Sequence, residues 1–219
     1  MNSLRTNAIG LAVGLSALAG FVDAVGFLTL NGSFVSFMSG NSTQLAVHLA
    51  RGETALLAGL AGLIALFTAG VFFGTIVGRL THPRRHVTVV LGLVSVLLAA
   101  ALIAVAAKQP LVSIAFMTLA MGAENAVFQR DGEVVVGLTY MTGTLVKLSQ
   151  KLAAAFFGGD PLAFVPYLLL WGGLIAGGIG GAVAFAVFGL KCIGIAATWA
   201  AGLGIYAFMA QIAINRETK

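Results

Sequence analysis

The sequence predicts an all-α integral membrane protein of about six transmembrane helices, arranged as two inverted three-helix repeats, each with an additional broken or re-entrant polar segment. Three observations lead there. The first is composition: of 219 residues, 59% are hydrophobic and only 9% charged, with a mean hydropathy of +1.03. A soluble domain carries roughly a quarter charged residues, so water-facing surface is scarce. The second is segmentation into apolar runs near the roughly 20 residues that cross a hydrocarbon core of about 30 Å. The third is internal repetition, because motifs of the first half return in the second at an offset of 102 or 103 residues.

The apolar runs fall at 8–30, 55–80, 87–107, 111–128, 162–190 and 192–214. Polar joints such as Thr81-His82-Pro83-Arg84-Arg85-His86 and Lys108-Gln109-Pro110 separate them. Arg5 and Ala17-Leu18-Ala19 give the first run some likeness to a cleavable signal, but it continues to about residue 30 and carries Asp23, too long and too polar for one. It is expected to stay as a span. Segments 34–50 and 134–157 are only moderately apolar and hold most of the hydroxyl and amide side chains.

Lys and Arg collect on the cytoplasmic side of membrane proteins. With six spans and both termini cytoplasmic, the inner side holds Arg5, Arg79, Arg84, Arg85, Arg130, Lys147, Lys151, Arg216 and Lys219, and the outer side only Arg51, Lys108 and Lys191. Eight spans erase that bias, so the two moderate segments are read as re-entrant, broken or interfacial. The net charge of +5 sits in joints and tails rather than in a patch with aromatics, which points to the lipid bilayer and not to nucleic acid. Cys192 is the single cysteine, which excludes a disulfide within the chain and suits a packing role.

The repetition divides the chain into 1–108 and 109–219, together one membrane domain. Gly20-Phe21-Val22-Asp23-Ala24 answers Gly122-Ala123-Glu124-Asn125-Ala126, and Ser36-Phe37-Met38-Ser39-Gly40-Asn41 answers Thr139-Tyr140-Met141-Thr142-Gly143-Thr144. Gly70, Gly74 and Gly78 answer Gly173, Gly177 and Gly181 at the same offset, and Gly92 answers Gly194. Glycines four apart line one helix face and let another backbone come close, which drives packing where lipid removes the hydrophobic effect. Three spans per half is an odd number, so the second half is expected to enter the membrane from the opposite side, as inverted-repeat transporters do.

Asp23 and Glu124 are the acids expected inside spans. An acid at a helix centre costs roughly 2.5–3.5 kcal/mol on insertion scales, so each calls for a partner, a proton or water. The hydroxyl-glycine motifs suggest half-helices starting near Gly40 and Gly143, with capping hydroxyls and free N–H groups aimed into the membrane. On those helices Asn41, Gln44 and His48 share one face, and Thr144, Lys147 and Lys151 repeat the spacing. Such a stripe fits either a water-filled path or an interfacial helix. His48, His82 and His86 lack metal-ligand spacing, and no catalytic or phosphate-loop motif occurs, so neither a metal, a cofactor nor an enzyme is expected.

At Gly20-x-x-Asp23-Ala24, Met38-Ser39-Gly40-Asn41 and Thr139-x-x-Thr142-Gly143 the chain resembles the YoaK-like family of uncharacterised bacterial membrane proteins over essentially its whole length. The family's Thr-x-x-Thr-Gly signature is intact in the second half and reads Ser36-x-x-Ser39-Gly40 in the first. Related sequences often carry Gln-Asn-Ala where this chain has Glu124-Asn125-Ala126. The resemblance implies a bacterial inner-membrane protein of about six helices and no established substrate. The expected function is a small transporter or channel for a small solute or ion, with Asp23 as a proton-coupling candidate. The alternative is an accessory protein whose glycine faces bind other helices, and surplus glycine faces would also suit a homodimer.

Overall fold

The computed structural model describes residues 2–130, 133–134 and 141–217. Among these, eight α-helices carry the fold: α1 (Asn2–Thr29), α2 (Met38–Ala50), α3 (Leu57–Leu80), α4 (His86–Ala106), α5 (Pro110–Glu124), α6 (Met141–Phe156), α7 (Val165–Phe188) and α8 (Ile193–Glu217). A two-residue antiparallel ladder pairs Gln129–Arg130 with Glu133–Val134.

Four stretches are long and apolar enough to cross a membrane: Asn7–Thr29, Thr54–Leu80, Pro83–Ala106 and Val165–Ala210. The last holds α7 and most of α8, turned by a short 3-10 segment at Gly189–Cys192. α5 stops short of the run expected at 111–128. Its 15 residues end at Glu124 and make about 22 Å of helix, less than the hydrocarbon thickness. α2 and α6, with 13 and 16 residues, are also too short to cross alone. Each ends at a glycine two residues past its last turn, Gly52 at φ +71° and Gly158 at φ +85°, a conformation that closes a helix and that side chains resist.

α1 packs along α7 and α3 along α5, while α4 lies against both α5 and α8. At the first two crossings glycine removes the side chain altogether. A Cβ on Gly177 would strike the Ala17 carbonyl, and one on Gly181 the Phe21 carbonyl; Gly70 and Gly74 stand against Leu119 and Ala123 in the same manner. Residue numbers rise together along both partners, so each pair is parallel. Gly10 and Gly14 face Tyr206 and Leu203, while Gly194 and Gly204 face Leu102 and Leu91, so α8 runs antiparallel to α1 and to α4. The α4–α5 pair is antiparallel as well, since His86 at the start of α4 reaches the Ala126 carbonyl just past α5. Hence α1, α4 and α7 run one way, and α3, α5 and α8 the other.

The register of the glycine triplets differs from the one counted along the chain. Gly20 faces Leu174 and Gly178, whereas Gly122 faces Phe67 and Val71. The equivalent contacts on α3 and α7 are therefore 107 residues apart, not 103. Gly70 and Gly74 answer Gly177 and Gly181, and Gly78 and Gly173 fall out of the correspondence. Extra residues in α6 and in the connection after it cause the shift: α2 and α6 begin 103 residues apart at Met38 and Met141, end 106 apart at Ala50 and Phe156, and α3 and α7 begin 108 apart at Leu57 and Val165. Gly78 instead faces the His86 ring, and Gly173 faces Val13.

The core is built from faces of α1, α4, α5 and α8, including Leu15, Leu18, Val22, Leu91, Leu98, Met117, Met121 and Ile193, with Cys192 packed among them. The outer faces expose Phe72, Phe73, Ile103, Val183 and Val187, as lipid contact requires. If close backbone approach holds the bundle, Gly177→Ala should destabilise it by about 1–3 kcal/mol. Gly172→Ala, where nothing lies within 4 Å, should be neutral or slightly stabilising. Thermal unfolding in detergent reads both, and equal effects would rule the crossing out as the cause.

Candidate functional site

Between α1 and α2 the chain returns without regular structure, and three side chains satisfy its backbone. Asp23 Oδ1 accepts the N–H groups of Val35 and Ser36, each at 2.9 Å. The buried Asn41 amide pairs with Phe34 in both directions, accepting its N–H at 2.9 Å and donating to its carbonyl at 2.6 Å. Gln44 Nε2 donates to the Gly32 carbonyl at 2.9 Å, and the Ser33 hydroxyl donates to Gln44 Oε1 at 3.4 Å. Irregular backbone at membrane depth is tolerated when its polar groups are met in this way. Phe34 also packs between Phe27 and Phe37, with ring centroids 5.0 and 5.2 Å away.

Asn41 and Gln44 thus bond the loop at Gly32–Phe34, while His48 lies nearer the end of α2 with Nδ1 2.6 Å from Glu53 Oε2. The helix begins at Met38, two residues before Gly40, and no side chain caps it at Phe37. Gly40 sits in the first turn because a Cβ there would collide with the Phe37 ring. In the second half α6 likewise begins at Met141, two residues before Gly143, beside which nothing among the described residues lies within 4 Å. Thr144 is buried, whereas Lys147 and Lys151 are exposed. Thr139 lies outside the described residues.

The starts of α2 and α6 meet at one cavity of about 290 Å³. Residues 36–39 line it from the first half, including Ser36 and Ser39, and Met141, Thr142 and Gly143 from the second; Phe67 of α3 adds an aromatic wall. No ionised side chain stands among these. What the cavity offers is hydroxyl groups and the positive ends of two helices, a lining able to accompany a partly dehydrated solute or ion.

Asn125 donates from Nδ2 to the Met121 carbonyl at 2.9 Å. Glu124 is fully buried, and among the described residues neither carboxyl oxygen has a hydrogen-bond partner. Sequence reasoning missed Phe67, Ser16 and His86. The Ser16 hydroxyl donates to the Leu170 carbonyl at 2.8 Å, joining α1 to α7. The His86 ring lies between two carbonyls, with Nε2 2.8 Å from Ala126 and Nδ1 3.2 Å from Gly78. The Gly78–His86 hairpin was readable from spacing; the third member, Ala126, is supplied by tertiary packing.

The family described as "Protein of unknown function (DUF1275)" matches residues 11–206, which take in both halves and every residue of the cavity. The chain belongs to this family. A UPF0700 transmembrane protein of Rhizobium meliloti (strain 1021) is 36% identical to this DUF1275 protein over 181 residues, 82% of this chain and 77% of the relative. No solved structure matches it. The resemblance read from the motifs is therefore borne out, and the DUF1275 protein is a helical membrane protein.

Removing the acceptor that holds two backbone N–H groups has a defined consequence. Asp23→Ala should strand both donors, at about 1–3 kcal/mol, and loosen the loop. Thiol labelling of Ser36→Cys in a Cys192→Ser background should then accelerate, with Asp23→Asn intermediate because it keeps one oxygen. Unchanged labelling in Asp23→Ala would show that the carboxyl does not hold the loop.

Proposed function

We propose that this protein is a small transporter or channel of the bacterial inner membrane, carrying a small solute or ion along a path between two halves inserted in opposite orientations. The observation that carries this reading is a cavity lined by residues of the hydroxyl-glycine motif of each half, Ser36 and Ser39 from one and Thr142 and Gly143 from the other. The opposed insertion is supported by helix direction: α1 runs opposite to α5, α3 to α7 and α4 to α8, as deduced from their contacts. Short polar half-helices that start at a shared cavity are the device by which inverted-repeat transporters form midplane sites.

The glycine rows Gly70/Gly74 and Gly177/Gly181, which could otherwise recruit foreign helices or a second copy, are covered by helices of the same chain. This favours a path over an accessory role. The basic residues of the joints support a cytoplasmic location for both termini.

Two experiments test the proposal. Protein in liposomes should speed the osmotic re-swelling measured with a panel of small neutral solutes and monovalent salts, for at least one of them. Attaching a bulky thiol reagent to Thr142→Cys, in a Cys192→Ser background, should abolish that flux; undiminished flux would remove the cavity from the path. In sealed vesicles an impermeant thiol reagent should reach Glu53→Cys from one side and Asp160→Cys from the other. Labelling of both from the same side would refute the opposed halves.

A further inference from the structure

Among the described residues, Glu124 is the one acid on a membrane helix whose buried carboxyl oxygens have no partner. It shares a face of α5 with Met117, Ala120 and Met121, and all four are fully buried. At the offset that relates Gly20 to Gly122, the matching face of α1 carries Leu15, Leu18, Ala19 and Val22, also fully buried. Glu124 therefore occupies the position that the other half fills with valine. The polar counterpart of Asp23 is Asn125, so Glu124 is not doing Asp23's work of holding a loop.

An ionised carboxylate in such surroundings costs several kcal/mol unless a charge or donor meets it. The candidates on the elements packed around α5 are engaged or turned away. Asp23 of α1 is bonded to Val35 and Ser36. Arg79 of α3 is exposed, as are Arg84 and Arg85 before α4. His86 of α4 faces the carbonyls of Gly78 and Ala126. Among the described residues no ion pair or hydrogen bond reaches the Glu124 carboxyl. Hard cations gather about six oxygens, far more than this one side chain offers, whereas a proton needs a single oxygen.

We infer that Glu124 is a proton-binding site within the membrane domain: its carboxyl is un-ionised in this packing and releases its proton to water, leaving a carboxylate, only when water reaches it. Coupling that proton to solute movement rests on the transporter reading above; the protonation itself does not.

Infrared spectroscopy of the full chain in lipid vesicles tests this without knowledge of the solute. The carbonyl band of an un-ionised buried carboxyl should be present at neutral pH, absent from Glu124→Gln and retained in Asp23→Asn. Survival of the band in Glu124→Gln, or its absence from the unmodified chain, overturns the inference. So does its loss when sodium chloride is added at constant pH, which would make the ligand sodium. Should Glu124→Gln fail to fold, Glu124→Val serves as the second variant: it should lose the band and unfold at a higher temperature, because it restores the residue type of the equivalent position. A lower Tm would show that the carboxyl is structurally partnered, and would equally overturn the inference. Absence of flux in the unmodified chain would sink the transporter reading and leave the band untouched.

Discussion

The structure depends on two backbone crossings without side chains, α1 on α7 and α3 on α5. In lipid, apolar surface gains nothing by leaving one apolar medium for another, so helices associate through close van der Waals contact instead. Gly20, Gly177 and Gly181 supply it at one crossing and Gly70, Gly74 and Gly122 at the other. The cavity inherits its shape from this. The Phe67 carbonyl lies against Gly122, and the same residue forms the aromatic wall of the cavity, so the crossing that joins α3 to α5 also positions that wall. Across the other crossing, the Ser16–Leu170 bond ties α7 to α1 near the start of α6.

The two halves of the chain differ in how they treat an acid. In the first, Asp23 points at the loop before α2 and accepts two backbone N–H groups. In the second, the amide Asn125 stands at the matching position and the acid has moved one residue earlier, to Glu124. One residue along a helix is a rotation of about 100°. That rotation takes the carboxyl from the loop-facing side into the core, among Met117, Ala120 and Met121. A pair of acids that look equivalent in the sequence thus have opposite surroundings, one bonded and one bare.

Much of the fold was legible in the chain. Composition and run length identified a membrane protein; the motifs located the two short helices, and Ser36, Ser39, Thr142 and Gly143 of those motifs do line one cavity. Other details were not legible. α5 ends at Glu124 although apolar residues continue to Phe128, because the chain turns at Asn125–Phe128. The half-helices begin at Met38 and Met141 rather than at the glycines, and in the first of them Gly40 leaves the space that the Phe37 ring fills. Asn41 and Gln44 looked like the lining of a path, yet both turn toward the loop at Gly32–Phe34, where they meet the Phe34 N–H and the carbonyls of Phe34 and Gly32.

By itself the sequence determined the class of protein, the repetition of its motifs and the identity of its few intramembrane polar residues, because these are matters of composition and local spacing. The register between helices was settled only by the tertiary structure. A glycine row spaced by four looks the same when slid by four, so α7 could move one turn relative to α3 without changing any local pattern. Which acid finds a donor was likewise settled in three dimensions, since a hydrogen bond depends on the direction a side chain takes from its helix and on what another segment brings to meet it.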